Sequence, residues 1–407
     1  MTPRFYPKSI LLLFVLILTT AQSFSCKKKG DTSTPPVTNN SALSIIGVTD
    51  ERDNKEVKSF RFYINILPTT TKEIKINYTT VDSTAFAGVD FTAASGVLTI
   101  PAGQSSAYID VMVKGDSLRK EDQYFFVQLS SPVNAKIEGT GKATGVIQNN
   151  GTYLPTDNTG YSTPSTYPGM TLVWGDEFSA TELNTSAWNY EIGNGSGGWG
   201  NNELQYYTNS KKNSFLSNGN LVIEAKKESQ GGFNYTSARL TTQNKKVFKF
   251  GRIDIRAKLP VSKGMWPALW MLGSNISSVG WPACGEIDIM ELIGTYSNRV
   301  YGTMHWKPVS GTNTSKGNWY DLSSGNFSQQ FHVFSIVWSQ DQIKWYVDDQ
   351  LYLTTTKAGD VGAANYPFNA DHFFIFNVAV GGNWPGSPDA STTFPQRMYV
   401  DYVRVFQ

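Results

Sequence analysis

Three carboxylates that could perform acid–base chemistry lie close together in the segment Glu-Ile-Asp-Ile-Met-Glu. They are Glu286, Asp288 and Glu291, and the apolar and β-branched residues around them predict a strand that packs against a core. Side chains alternate between the faces of a strand, so Glu286 and Asp288 share a face whereas Glu291, five positions beyond Glu286, would point away. A β-bulge at Ile289 or Met290 would return Glu291 to the face of Glu286.

Three acids on one face of a strand repel one another, and glycoside hydrolysis is a chemistry that uses such repulsion. An ionised carboxylate attacks the anomeric carbon, and a second carboxyl group, kept protonated by burial and by charged neighbours, protonates the leaving oxygen. We assign Glu286 as the nucleophile and Glu291 as the acid and then the base. Asp288 would hydrogen-bond the nucleophile and tune it. The alternative is a solvated acidic face of a strand.

The segment resembles the Glu-x-Asp-x-x-Glu signature of glycoside hydrolase family 16 in its bulged form, and the preceding Trp281-Pro-Ala-Cys-Gly resembles the endo-1,3-β-glucanase (laminarinase) branch. The resemblance covers about residues 171–407. Short alternating strands and turn residues dominate this region, which predicts a jelly-roll β-sandwich whose concave face is an open groove. The extra residue at Met290 favours the 1,3-glucanase side over the unbulged lichenase branch.

The resemblance also implies a set of substrate-binding residues, carried by segments such as Gly-Asn-Asn-Glu, Ser-Ala-Arg-Leu-Thr, Trp-Pro-Ala-Leu-Trp and Gly-Thr-Met-His-Trp. The set is Asn202, Glu203, Arg239, Trp266, Trp270, Trp281, His305 and Trp384. Trp266 would stack on a sugar, whereas Trp270 would either do the same or fill the core. His305 would orient the carboxylates and contact the substrate. Trp384 would cap one end of the cleft.

The chemistry needs no cofactor, and the only metal ion that we expect is a structural calcium. Many relatives bind calcium through an early Glu, a backbone carbonyl and a late Asp, and Glu177, Gly219 and Asp401 match those positions. An ordinary surface acid is the alternative reading of each carboxylate.

Tryptophan is distributed very unevenly along the chain. All eleven Trp residues lie at or after Trp174. Broad aromatic rings cover the apolar C–H faces of sugars, although for about half of these residues the alternative, core filling, must hold. The two halves of the chain therefore have different roles.

The N-terminus indicates export. Arg4 and Lys8 precede an apolar run far shorter than the roughly 20 residues of a membrane-spanning helix, so residues 1–25 are predicted to be a signal peptide. Cys26, followed by three lysines, resembles a bacterial lipoprotein signal, and residues 26–41 would be a tether with lipidated Cys26. An outer-membrane lipoprotein on the periplasmic or cell-surface side is expected, with simple secretion as the alternative.

Residues 42–150 show short alternating runs that predict a small immunoglobulin-like sandwich, and Asp-Ser-Thr-Ala-Phe-Ala-Gly-Val-Asp-Phe resembles a Calx-β domain. Such domains can bind calcium through acidic loops, and the candidates are Asp90, Asp116, Glu121 and Asp122. We favour a metal-free spacer because Gln123 stands where a second acid is common. Residues 151–168 are predicted to be a linker, and residues 169–407 the hydrolase domain.

Composition excludes several other functions. A formal net charge of +2 on 407 residues argues against a nucleic-acid partner, and three His and two Cys disfavour a zinc or haem site. We therefore predict an all-β, monomeric, retaining endo-1,3-β-glucanase acting on laminarin-type glucan. A mixed-linkage β-glucanase, an agarase, a transglycosylase and a non-catalytic glucan-binding protein remain alternatives.

Overall fold

A computed structural model of the chain describes residues 41–362 and 366–407. The signal peptide, Cys26 and nearly all of the tether lie outside the described residues. The all-β prediction is confirmed, since helix is confined in the described ranges to α1 (Ile276–Val279) and to short helical turns at Gly198–Asn202, Lys357–Val361 and Pro367–Asn369. None of the described helices is both long and apolar enough to cross a membrane.

The first domain is a β-sandwich. Its strands in the described residues are β1 (Ala42–Ile45), β2 (Val48–Glu51), β3 (Lys58–Leu67), β4 (Ile74–Asp82), β5 (Ser95–Ile100), β6 (Ser106–Val113), β7 (Gln123–Val133), β8 (Lys136–Ile137) and β9 (Lys142–Gln148). They form sheets of order β6-β3-β1-β8 and β2-β9-β7-β4-β5. Strict alternation along β3 buries Phe60 and Phe62 against Phe125 of the facing sheet, which closes the core.

The second domain is a larger sandwich. Its strands in the described residues are, in chain order, β10 (Leu172–Asp176), β11 (Asn189–Tyr190), β12 (Gln205–Tyr207), β13 (Ser214–Ser217), β14 (Asn220–Ala225), β15 (Tyr235–Ser237), β16 (Arg239–Thr241), β17 (Gly251–Lys258), β18 (Met265–Gly273), β19 (Glu286–Glu291), β20 (Arg299–Trp306), β21 (Thr314–Asp321), β22 (His332–Trp338), β23 (Gln342–Val347), β24 (Gln350–Thr356), β25 (His372–Val380) and β26 (Gln396–Phe406).

Two of its sheets pack face to face. One has the order β13-β14-β26-β17-β22-β23-β24, with β10 also paired to β26, and the other has the order β11-β16-β25-β18-β19-β20-β21. Their facing side chains form one continuous apolar core that includes Trp188, Trp338 and Trp345. We call the face of the second sheet that points away from this core the cleft face.

The segment predicted to be a linker, residues 151–168, packs along the second domain. The backbone N–H of Thr163 donates to the Tyr402 hydroxyl at 2.9 Å, and the Tyr167 hydroxyl donates to Asp254 Oδ2 at 2.7 Å. The connection is therefore fastened to the domain that it introduces.

A buried ion pair joins the two domains. Arg119 of the first domain donates to both carboxylate oxygens of Glu224 on β14, at 3.0 and 2.8 Å, and its guanidinium group lies over the Phe215 ring. Arg397 also donates to Glu224, at 2.6 Å. Burial alone would raise the pKa of Glu224, but the two arginines lower it. The ion pair thus fastens the first domain to the face of β14 that points away from the core.

Candidate active site

The strand β19 carries the three carboxylates and contains the predicted bulge. Against β18, Asp288 pairs with Trp270 and Met290 pairs with Leu269, so Ile289 has no direct partner there. Ile289 and Met290 are both buried in the core, although neighbouring residues of a regular strand would face opposite ways. This extra residue returns Glu291 to the face of the strand that carries Glu286 and Asp288. All three carboxylates line one cavity on the cleft face. The prediction of a bulge is confirmed.

Each of the two outer carboxylates accepts a hydrogen bond from an indole. Trp281 Nε1 donates to Glu286 Oε2 at 2.8 Å, and Trp266 Nε1 donates to Glu291 Oε1 at 3.0 Å. A donor of this kind favours the ionised form of its carboxylate. The two tryptophans therefore both shape the cavity and tune the acids.

His305 lies on β20 directly opposite Glu286. Its Nε2 atom is 3.4 Å from Asp288 Oδ2 and 3.9 Å from Glu286 Oε1, so it contacts the two acids that sequence reasoning expected it to orient. Glu286, Asp288 and His305 offer donor atoms within 4.8 Å of one another, a spacing that a cation could also use. Acid–base chemistry accounts for the cluster without a metal.

Burial raises the pKa of all three carboxyl groups. The pKa of Glu286 rises to about 8 through burial and then the charge of Asp288, while His305 and the Trp281 N–H oppose the rise. The pKa of Asp288 also rises to about 8 through burial. Burial and the charges of both neighbours hold the pKa of Glu291 well above its ordinary value. Burial therefore favours the protonated form of Glu291, which suits a general acid, and the Trp281 N–H favours the ionised form of Glu286, which suits a nucleophile.

The cavity has a volume of about 310 Å³. Besides the three acids, its wall contains five of the predicted binding residues, Glu203, Arg239, Trp266, Trp270 and Trp281. Residues that sequence reasoning did not assign to the site also line it, among them Trp199, Asn201, Ala268, Asn377 and Ala379. Cavities lined by aromatic rings and a few fixed polar groups are typical of ligand sites.

Arg239 forms one end of the cavity. Its Nε donates to Glu191 Oε2 at 2.5 Å, and its guanidinium carbon lies 4.3 Å from the ring centre of Trp199 and 4.9 Å from that of Trp270. The guanidinium group is therefore clamped between two indoles and an acid, with its orientation fixed before any ligand binds.

A chain of hydrogen bonds underlies the same end of the cavity. Trp270 Nε1 donates to Asn377 Oδ1 at 2.8 Å, Asn377 Nδ2 donates to the Tyr207 hydroxyl at 3.0 Å, and that hydroxyl donates to Glu203 Oε2 at 3.2 Å. Gln205 Nε2 donates to the same oxygen at 2.7 Å. Trp270 therefore lines the cavity with a fixed ring and also packs against a small apolar cluster, and its stacking on a sugar stays a prediction.

Asn202 does not line the cavity, and its contact with substrate stays a prediction. Residues Trp199, Gly200 and Asn202 all have positive φ values, and this tight turn directs Asn201 rather than Asn202 at the cavity. The side-chain amide of Asn202 donates to Asn383 Oδ1 at 2.8 Å outside the cavity wall. Sequence reasoning could not place the turn because its conformation depends on consecutive left-handed residues.

Trp384 lies beside the cavity, as expected for a residue that caps the cleft. Its ring packs edge-on against Trp266, with centroids 5.5 Å apart, and against Tyr301, with centroids 4.9 Å apart. Tyr301 occurs four residues before His305 on β20 and faces the same side, so strand alternation was a signal that could have identified it.

The calcium site predicted in the second domain is not supported by the donor set. β10 and β14 meet the same edge of β26, which brings Glu177, Gly219 and Asp401 into one region. However, Arg404 binds both carboxylate oxygens of Glu177 at 2.7 Å, and Arg256 donates to Asp401 at 2.7 Å. Two guanidinium groups already pair these acids, so the residues do not fit a divalent cation as they stand. The site stays a prediction.

The acidic loops of the first domain are paired in a similar way. The buried Arg52 donates to Asp90 at 3.0 Å and to Asp116 at 3.3 Å, and Lys120 also pairs with Asp116. Asp122 accepts the backbone N–H of Asn149 at 3.0 Å. Glu121 is exposed. Arg52 therefore places a fixed positive charge among the acids that calcium would need, which supports the preference for a metal-free spacer.

A bulged strand that gathers three carboxylates in an aromatic-lined cavity on one face of a β-sandwich defines a glycoside hydrolase. Comparison with known families agrees, because residues 201–404 match the model of glycosyl hydrolases family 16 and residues 49–151 match that of the Calx-beta domain. The chain belongs to glycosyl hydrolases family 16.

Relatives extend this result. The chain is 40% identical over 250 residues to the beta-glucanase of Rhodothermus marinus, covering 59% of this chain and 86% of that protein. It is 41% identical over 269 residues to glucan endo-1,3-beta-glucosidase A1 of Niallia circulans, covering 61% of this chain and 39% of that longer protein. The solved laminarinase catalytic domain of Thermotoga maritima superposes with a TM-score of 0.55 at 51% identity, covering 58% of this chain and 98% of that domain.

Proposed function

We propose that the chain is a retaining, endo-acting glucanase that cleaves the β-1,3 bonds of laminarin-type glucan. The observation that carries this proposal is the arrangement of Glu286, Asp288 and Glu291 on the bulged β19, in a cavity walled by indoles. The names of the relatives, an endo-1,3-beta-glucosidase and a laminarinase, support the choice of linkage. Because the chain spans only 39% of the Niallia circulans protein, the activity is proposed here for this chain in its own right.

The first chemical step uses the two outer acids. A carboxylate oxygen of Glu286 bonds to the anomeric carbon as the bond from that carbon to the leaving oxygen breaks, and Glu291 donates its proton to that oxygen. The products of the step are a glycosyl ester on Glu286 and a shortened glucan with a new hydroxyl. Trp281 donates to the Glu286 carboxylate, and His305 lies beside both Glu286 and Asp288, where it can orient their carboxylates.

The second step reverses the roles. Glu291, now ionised, takes a proton from water while the water oxygen attacks the anomeric carbon and displaces Glu286. Two displacements return the original anomer. Trp266 donates to Glu291 in both steps, and its N–H stabilises the ionised form in which Glu291 acts as a base.

The experiment is the Glu286→Ala variant assayed on laminarin, with product anomers followed by NMR. We expect the variant to lose reducing-sugar release by at least about 10³-fold while keeping its fold, and the native chain to release the β-anomer first. Undiminished activity in Glu286→Ala would refute the assignment of the nucleophile. Initial release of the α-anomer would refute retention.

We further propose that the enzyme is an exported lipoprotein held at the outer membrane through lipidated Cys26, and that it acts as a monomer. The sequence around Cys26 supports the anchor, and the monomer is proposed because one chain carries the three acids and the indoles that the chemistry needs. Fractionation of cells that express the native chain and Cys26→Ser tests the anchor. The native chain should follow the membranes and the variant should not; equal distribution would contradict the proposal. Light scattering tests the monomer.

A further inference from the structure

One row of side chains crosses the cleft face and continues well beyond the cavity. Residues directly opposite each other on neighbouring strands share a face. The strand register places the following residues at one level, on six successive strands: Arg239, Asn377, Ala268, Glu291, Tyr301 and Trp319. With about 4.8 Å between strands, the row is roughly 24 Å long. It therefore has room for several sugars.

Glu291 divides this row into two parts. Arg239, Asn377 and Ala268 on one side all line the cavity. On the other side lie Tyr301 on β20 and Trp319 on the edge strand β21, and neither contributes to the cavity wall. The part of the cleft face beyond the acids thus has aromatic side chains but no function assigned to it.

The exposure of Trp319 is not explained by core packing. Its side chain is 50% exposed, and the other large exposures among the tryptophans, 50% for Trp281 and 40% for Trp384, belong to residues that adjoin the cavity. Large apolar groups exposed along one surface indicate a binding surface. The three most exposed tryptophans of the chain therefore follow the same face.

The Trp319 ring is held in place despite its exposure. The guanidinium carbon of Arg299 lies 4.9 Å from the centre of the ring, and Arg299 donates to both carboxylate oxygens of Asp321 at 2.7 Å. Asp321 and Trp319 are two residues apart on β21 and share its face. A flat ring that is already fixed binds a ligand at a lower entropic cost.

We propose that Tyr301 and Trp319 form a platform that binds the leaving part of the glucan, beyond the bond that is cleaved. This inference rests on the proposed function. In this proposal, the sugar that Glu286 attacks lies over the part of the row that lines the cavity. The oxygen that Glu291 protonates belongs to the next sugar, and the departing chain continues over β20 and β21. There the two aromatic rings meet the apolar faces of its sugars. Trp384, packed edge-on against Tyr301, joins this platform to the cavity.

The test compares the native chain with Trp319→Ala on a 1,3-linked glucose hexamer labelled at its reducing end. We expect kcat/KM to fall about three- to tenfold and the cleaved bond to move towards the labelled end, because sugars on the leaving side lose binding energy. A laminaribioside with a small phenol leaving group cannot reach Trp319, so its hydrolysis should be unchanged. Trp319→Phe should keep most of the native pattern.

Controls separate this inference from the proposed function. Tyr108→Ala removes an equally exposed ring, 50% exposed on the first domain, and should change nothing. Trp319→Leu repeats the test if the alanine variant is unstable. An unchanged cleavage pattern in Trp319→Ala overturns the platform while the proposed function stands. If the native chain cleaves no β-glucan, the proposed function fails. Binding of the hexamer, measured by calorimetry, then tests the platform separately. Weaker binding to Trp319→Ala than to the native chain supports the platform, and equal binding overturns it.

Discussion

The indole that donates to Glu286 offers a quantitative test of how the site is tuned. Trp281→Phe keeps a ring at the cavity mouth but removes the 2.8 Å hydrogen bond to Glu286. A hydrogen bond to a charged group contributes about 1.5–3 kcal/mol, and exposure of half of this indole reduces the expected loss to about 1 kcal/mol. That loss corresponds to about 0.7 pKa unit. Because the bond favours the ionised carboxylate, its removal raises the pKa of Glu286.

The assay is kcat/KM on laminarin as a function of pH. The acidic limb reports ionisation of the nucleophile, so Trp281→Phe should shift that limb about 0.7 unit towards higher pH. Trp266→Phe removes the donor to Glu291, raises the pKa of the acid, and should instead shift the basic limb upward. Trp384→Phe changes a neighbouring ring that donates to no carboxylate among the described residues, and it should move neither limb. An unmoved acidic limb in Trp281→Phe would refute the reasoning.

Two further predictions concern stability and domain docking. The pKa of Glu291 is higher in the folded state than in the unfolded state, so the fold loses stability as pH rises above about 4.5. Glu291→Gln removes this loss. The variant should raise Tm at pH 8 by about 2–4 °C for each kcal/mol relieved and should change Tm little at pH 4. A Tm that is unchanged or lower at pH 8 would contradict this. Arg119→Ala removes one partner of the buried pair with Glu224 and should speed proteolysis between the domains by about tenfold or more without changing laminarin hydrolysis. Equal proteolysis would show that the pair does not hold the domains together.

The catalytic strand could be predicted from sequence because its pattern is local. The five-residue spacing between Glu286 and Glu291 conflicts with strand alternation, and the adjacent apolar Ile289 and Met290 allow a bulge to resolve the conflict. The two-domain, all-β organisation follows in the same way from short alternating strands. Indole rings near the acids were also expected.

The rest of the site depends on long-range register. Asn377 reaches the cavity because β25 pairs with both β16 and β18, and Trp319 joins the row only through its pairing with Tyr301. The ion pair between Arg52 and Asp90 joins residues 38 positions apart, and no local pattern announces it. Residues of these kinds become visible only when strands from distant parts of the chain are placed side by side.

The central claim is that Glu286 forms a covalent bond with the cleaved glucan while Glu291 handles the proton. Mass spectrometry of the intact chain tests this claim most directly. The chain is denatured while it turns over an activated fluorinated laminaribioside. The native chain should gain the mass of one glycosyl group, located by peptide mapping on Glu286, and Glu286→Ala should gain none. A native chain that turns over substrate without acquiring this mass, or that carries it on another residue, would contradict the account.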